Sequence, residues 1–152
     1  MDFLSNPQFQ IICQLLLAAL LGGIVGFERE YQKRAAGLRT HSLVCLGAAL
    51  FTIVAAEAFK MSGDKNTISF DPSRIVSAIV MGIGFIGAGL IIYRRSKVEG
   101  LTTAAGIWVV SAIGIAIGLN LYLIAIFSAF LTLGVLTALR LLEEKIFGTR
   151  KN

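Results

Sequence analysis

The chain has 152 residues, 56% of them hydrophobic and only 15% charged, with a mean hydropathy of +0.79 and a formal net charge of +5. That balance lies outside the range of an ordinary soluble domain. The charge sits in short connections between apolar runs, so it reads as an orientation signal and an attraction to anionic lipid; no basic soluble module exists to bind nucleic acid.

Five apolar runs, 9–27, 41–59, 75–93, 101–119 and 121–142, are each long enough to cross a bilayer. At about 1.5 Å per residue, about 20 residues cover a hydrocarbon core of roughly 30 Å. The expected fold is therefore an all-α integral membrane protein, a bundle of five transmembrane helices forming one membrane domain over 1–152. The longest connections, 28–40 and 60–74, are too short to fold alone.

Span one is preceded by residues 1–8, which carry Asp2 and no Lys or Arg, so it reads as a retained span and not a cleaved signal. Asn6-Pro7 marks its start, with a capping side chain before a proline at the first helical position. Ala18, Gly22 and Gly26 recur every four residues and continue outward through Gln14, a small-residue face that lets helices approach closely. The run ends in Glu28-Arg29-Glu30, whose carboxylates oppose the helix dipole. Arg29 and Arg39 are the nearest compensating cations.

Span two is entered through Gly37-Leu38-Arg39-Thr40-His41, where Thr40 is expected to cap the helix and His41, the single histidine, to begin it. Two readings stand for this densest chemistry. Either the groups converge between helices and tie the first two spans together, or they form a solvated interfacial cluster. Glu57 is the one carboxylate inside a span and lies a turn from Lys60, which points to a local pair and not an ion site. Cys13 lies near the outer end of span one and Cys45 near the inner end of span two, so a disulfide would have to cross most of the bilayer and free thiols are expected; Cys45 with His41 lacks further metal ligands.

Span three repeats the cap as Asp71-Pro72, then carries Gly82, Gly84, Gly87 and Gly89. These glycines fit close packing in the bundle, or a bend that exposes backbone carbonyls. Spans four and five contain no charge before Arg140, so the chain must turn at Gly118-Leu119-Asn120, a re-entrant arrangement being the alternative. Gly114 and Gly118 mark span four.

A shift of 63 residues superposes Gly37-Leu38-Arg39-Thr40 on Gly100-Leu101-Thr102-Thr103, Gly26 on Gly89 and Arg34 on Lys97. This pattern fits a parallel repeat of 9–59 and 75–119, or the easy self-similarity of Gly-rich membrane sequence. Basic residues give the orientation. Arg29, Lys33, Arg34, Arg39, Arg94, Arg95, Lys97, Arg140, Lys145, Arg150 and Lys151 fall on one side, against Lys60, Lys65 and Arg74 on the other. The N-terminus is expected outside and the C-terminus in the cytoplasm.

Four motifs in order carry a resemblance: 22–30, Ala36-Gly37-Leu38-Arg39-Thr40-His41, Gly82-Ile83-Gly84-Phe85-Ile86-Gly87-Ala88-Gly89, and Gly100-Leu101-Thr102-Thr103-Ala104-Ala105 with Trp108. Together they resemble the MgtC/SapB family across nearly the whole membrane domain. The resemblance implies a multi-pass protein of the bacterial plasma (inner) membrane linked to adaptation to low magnesium and, in pathogens, to survival inside macrophages. It implies a regulator of a membrane partner, such as the ATP synthase, with magnesium or other cation transport as the alternative. Many members carry a soluble C-terminal domain, and the expectation here is a form acting through its membrane bundle.

The functional cluster expected from these motifs is Glu28, Arg29, Glu30, Arg39, Thr40, His41 and Cys45. Gly22, Gly26, Gly84, Gly87, Gly89, Thr102, Thr103 and Trp108 are expected to form a packing face or path. No nucleophile with a base and orienting group appears, so no enzyme is expected. No cofactor is expected beyond Mg2+ as a candidate, for which the sequence offers few converging oxygen ligands. The expected partners are membrane lipid, another membrane protein and a second copy of the chain.

Overall fold

A computed structural model of the chain describes residues 6–61, 71–94 and 97–148. Lys65, Arg95, Arg150 and Lys151, which contribute to the charge bias, lie outside the described residues. The elements are α1 (Pro7–Tyr31), α2 (Leu38–Met61), α3 (Pro72–Leu90), β1 (Ile92–Arg94), β2 (Lys97–Glu99), α4 (Leu101–Gly118) and α5 (Tyr122–Phe147). All five helices are long and apolar enough to cross a membrane.

Two details correct the expected all-α fold. The third span stops at Leu90 and not at residue 93, and a short antiparallel hairpin pairs Ile92 with Glu99, Tyr93 with Val98 and Arg94 with Lys97. The physical reason lies at both ends of the hairpin. Gly87 and Gly89 weaken the last turn of α3, after which Ile91 takes an extended backbone and β-favouring Tyr93 and Val98 face each other. Gly100, at φ +90°, turns the chain into α4, and a Cβ there would run into the Leu90 carbonyl. Helix α3 is continuous from Pro72 to Leu90, so the alternative reading, in which its glycines open the backbone, is not seen.

Helix starts follow the sequence. Asn6 accepts from the Gln8 N–H at 2.9 Å and Asp71 accepts from the Ser73 N–H at 2.9 Å, each before a proline in the first turn. Helices α1 and α4 stop by one device. Lys33 and Asn120 adopt left-handed φ (54° and 64°), and paired bonds close each end: Lys33 N–H to Glu30 O with Arg34 N–H to Arg29 O, and Asn120 N–H to Ile117 O with Leu121 N–H to Ala116 O. Asn120, not Gly118, supplies the positive φ that folds α5 back, and α4 and α5 are two separate helices.

Packing centres on α1, α2 and α4. Gly22 lies against His41 and Cys45, and Gly26 against Gly37 and Leu38, so α1 and α2 run antiparallel; Gly114 lies against Cys45 and Ala48, and Gly118 against Thr52, so α4 runs parallel to α2. A Cβ added at Gly22 would sit 2.6 Å from both the Cys45 Cβ and the His41 carbonyl, so only glycine permits this approach. Lipid tails are as apolar as Leu, so such close packing, and not apolar burial alone, is what holds the helices together. Ala18, Val25, Cys45, Ala49, Val110, Ile113 and Ile117 fill the centre, and α5 attaches through Ala125 and Ala129. Helix α3 packs on α4 and α2 around a second, smaller buried cluster, Ile83 with Ala36 and Ile107.

Candidate functional site

Helix α1 reaches its turn with three consecutive charges, each placed differently. Arg29, 3% exposed, donates from Nε to Glu28 Oε2, and the Glu28 side chain is itself 10% exposed. Glu30 is exposed and crosses to α2, where Oε2 accepts from the Leu38 N–H at 2.8 Å. That bond satisfies an amide of the first turn and sets a negative charge at the positive end of α2. It corrects the expected cap: α2 begins at Leu38, Thr40 lies inside its first turn, and the capping carboxylate comes from α1.

His41 is fully buried. Its Nδ1 lies 2.9 Å from the Gly37 carbonyl, one turn back, so with Nδ1–H donating there, Nε2 is left as an acceptor. Nε2 faces Gly106 of α4, where an added Cβ would lie 3.4 Å away. Buried Thr103 lies one turn before Gly106 on the same helix. Glu28 and Arg29 both act electrostatically on the ring. Among the described residues, Glu28 Oε1 and His41 Nε2 are the buried side-chain polar atoms with no hydrogen-bond partner. Buried Cys45, one turn beyond His41, packs its Cβ against Gly22.

Arg39 does not join this cluster. It is exposed and, among the described residues, makes no hydrogen bond or ion pair; with Thr40 it lines one end of an open apolar groove between α2 and α3, of about 940 Å³. The reason is helical phase: at 100° per residue, positions 39, 40, 43 and 47 face α3 while 41, 45 and 52 face α1 and α4. Of the expected cations, Arg29 alone compensates a carboxylate of the α1 end.

The expected glycine set divides as well. Gly22 and Gly26 are closed by α2, and Gly87 faces Ala104 at 3.8 Å, whereas Gly84 and Gly89 meet nothing within 4 Å. Thr103 is buried, while Thr102 is exposed and Trp108 is 49% exposed, its carbonyl accepting from the Ser111 hydroxyl at 2.7 Å. Glu57 pairs with Lys60 at 2.6 Å as expected, and both cysteines are free.

One polar contact was not anticipated from sequence, although Gln14 was placed on the packing face of span one. Buried Gln14 donates from Nε2 to Asn120 Oδ1 at 2.5 Å and to the Tyr122 hydroxyl oxygen at 2.7 Å, joining α1 to the α4–α5 turn. The signal was present, since Gln14 is an amide within an apolar span, a position where polar side chains seek partners in neighbouring helices.

The family model for the MgtC family matches residues 15–145. The chain belongs to the MgtC family. It is 44% identical to YhiD of Escherichia coli (strain K12) over 139 residues, which covers 91% of this chain and 65% of YhiD. It is 40% identical to SrpB of Synechococcus elongatus, over 86% of this chain and 75% of that one, and 38% identical to MgtC of Salmonella typhimurium, over 91% and 56%. The chain thus spans less than two thirds of YhiD and of Salmonella MgtC. No solved structure matches. Family membership and five spanning helices together make this a multi-pass membrane protein.

Proposed function

We propose that the chain is a protein of the bacterial inner membrane that regulates a membrane partner, such as the ATP synthase, in adaptation to low magnesium or intracellular survival. In this reading its N-terminus lies outside and its C-terminus in the cytoplasm, as the excess of Lys and Arg on one side favours. The observation that carries the reading is the outer face of α3. Gly84 and Gly89 meet open space, Met81 is 70% exposed and Phe85 84% exposed, so a small-residue surface flanked by large side chains has no partner among the described residues. Helices recognise each other in lipid through such surfaces. The glycines of α1 and α4, by contrast, are used up in internal packing.

Cation transport is the second reading, and a specific observation favours it. Polar groups lie at both ends of the α1/α2/α4 trio: the buried Glu28–Arg29–His41 cluster, with two acceptors unpartnered among the described residues, and a cavity of about 130 Å³ bordered by Gln14, Glu57, Lys60 and Asn120. YhiD, moreover, is named for a magnesium transport activity that its name marks as unproven. Reconstitution into sealed liposomes separates the two. The regulatory reading expects magnesium flux no faster than through empty liposomes, together with co-purification of a membrane ATPase. Flux that disappears with Glu28→Ala contradicts it.

A further inference from the structure

The groove between α2 and α3 is lined by apolar side chains over most of its length, with Arg39 and Thr40 on its wall near the start of α2 and Arg74 on its wall near the start of α3. The two helices run in opposite directions, so these cations mark opposite ends. We propose that the Arg39 end is a binding site for one anionic phospholipid, with its phosphate on Arg39 and Thr40 and an acyl chain laid along the groove.

Three observations carry this. Arg39 has no acidic partner among the described residues, although Glu28 and Glu30 lie at the same end of the bundle; both are committed elsewhere, to Arg29 and to the Leu38 amide. An unpaired guanidinium beside an apolar groove calls for an anion, and its planar fork matches a phosphate. Thr40, beside Arg39 in the first turn of α2, adds a hydroxyl donor to the same wall of the groove. Finally, the length fits. From Arg39 to Phe51 the helix rises about 18 Å, close to the roughly 15 Å of one leaflet's hydrocarbon. Over that distance Leu43, Gly47 and Phe51 face Ile79 and Ile86 across the groove. A Cβ added at Gly47 would meet nothing within 4 Å, so the backbone lies open to an occupant there. An apolar helix seated in the same groove leaves Arg39 without a counter-charge, whereas a phosphate neutralises it.

The test is native mass spectrometry of the full chain in detergent, offered equal amounts of phosphatidylglycerol and phosphatidylcholine. The unaltered chain is expected to retain phosphatidylglycerol about tenfold over phosphatidylcholine, consistent with a charge-assisted contact. Arg39→Gln is expected to reduce that ratio to about one. Gly47→Phe, whose added ring enters open space, is expected to lower retention of both lipids several-fold in a protein that keeps its helical circular dichroism. Equal retention of the two lipids by the unaltered chain overturns the proposal. So does an unchanged ratio in Arg39→Gln, or a lipid-free dimer that Gly47→Phe dissociates.

Discussion

Two glycine-rich helices of this chain meet opposite fates. In α4, 61% of the spanning stretch is buried inside the molecule; in α3 the share is 6%. The 63-residue shift that aligns Gly26 with Gly89 makes the contrast sharper, because a Cβ at Gly26 would sit 2.8 Å from the Gly37 carbonyl while one at Gly89 would touch nothing. The same residue type therefore does two jobs. In the α1/α2/α4 trio it removes side chains so that backbones and a charged cluster fit together, and on α3 it leaves an open surface.

If the trio is the structural centre, its buried pair is its most sensitive point. Glu28→Ala leaves Arg29, 3% exposed, without its carboxylate, and is expected to cost about 3–5 kcal/mol of stability, read by unfolding in mixed micelles. A cost below about 1 kcal/mol would place Arg29 in water and break the comparison. Next in size, Gly22→Val should cost about 2–3 kcal/mol by forcing α1 from α2, and Gly84→Val less than about 0.5 kcal/mol. Equal costs would mean that α3 packs as tightly as α1. Gln14→Leu should cost about 1 kcal/mol through loss of its bonds to Asn120 and Tyr122, measured in the same assay.

The smallest effect belongs to the start of α3. The Ser73 hydroxyl and amide, both donating to Asp71, hold its carboxyl below the ordinary carboxylate range. A group whose pKa is lowered on folding contributes above its unfolded value, about 3.9, and loses that contribution as pH falls through the folded value. Protection of the first turn of α3 in hydrogen exchange should therefore weaken below about pH 4. Asp71→Asn, which keeps a capping oxygen, should abolish that dependence.

Much of the fold was legible because its causes are local. Span length, the Asn6-Pro7 and Asp71-Pro72 starts and the turn at Asn120 follow from hydrocarbon thickness, capping chemistry and backbone freedom, all readable a few residues at a time. The third span's end was misplaced because Ile91, Ile92 and Tyr93 are as apolar as a span requires; only their pairing with 97–99 shows them to be strand. At the candidate site, the chemistry was visible but the partnerships were not. Arg39 lies two residues from His41, yet about 200° of helical rotation sends one into the groove and the other into the core. Glu30 reaching the Leu38 amide depends on how the α1–α2 turn closes, and Gln14 meeting Asn120 depends on which helices adjoin. Neither is written in spacing along one helix.

The central claim, that α3 keeps an outward face for a second membrane protein, is tested most directly by photo-crosslinking in native membranes. A light-activated residue is placed at Gly84 and, separately, at Gly22. The account predicts an adduct of defined mass with another membrane polypeptide from position 84 and intrachain products alone from position 22. Adducts from position 84 confined to lipid or to this chain's own helices would contradict it.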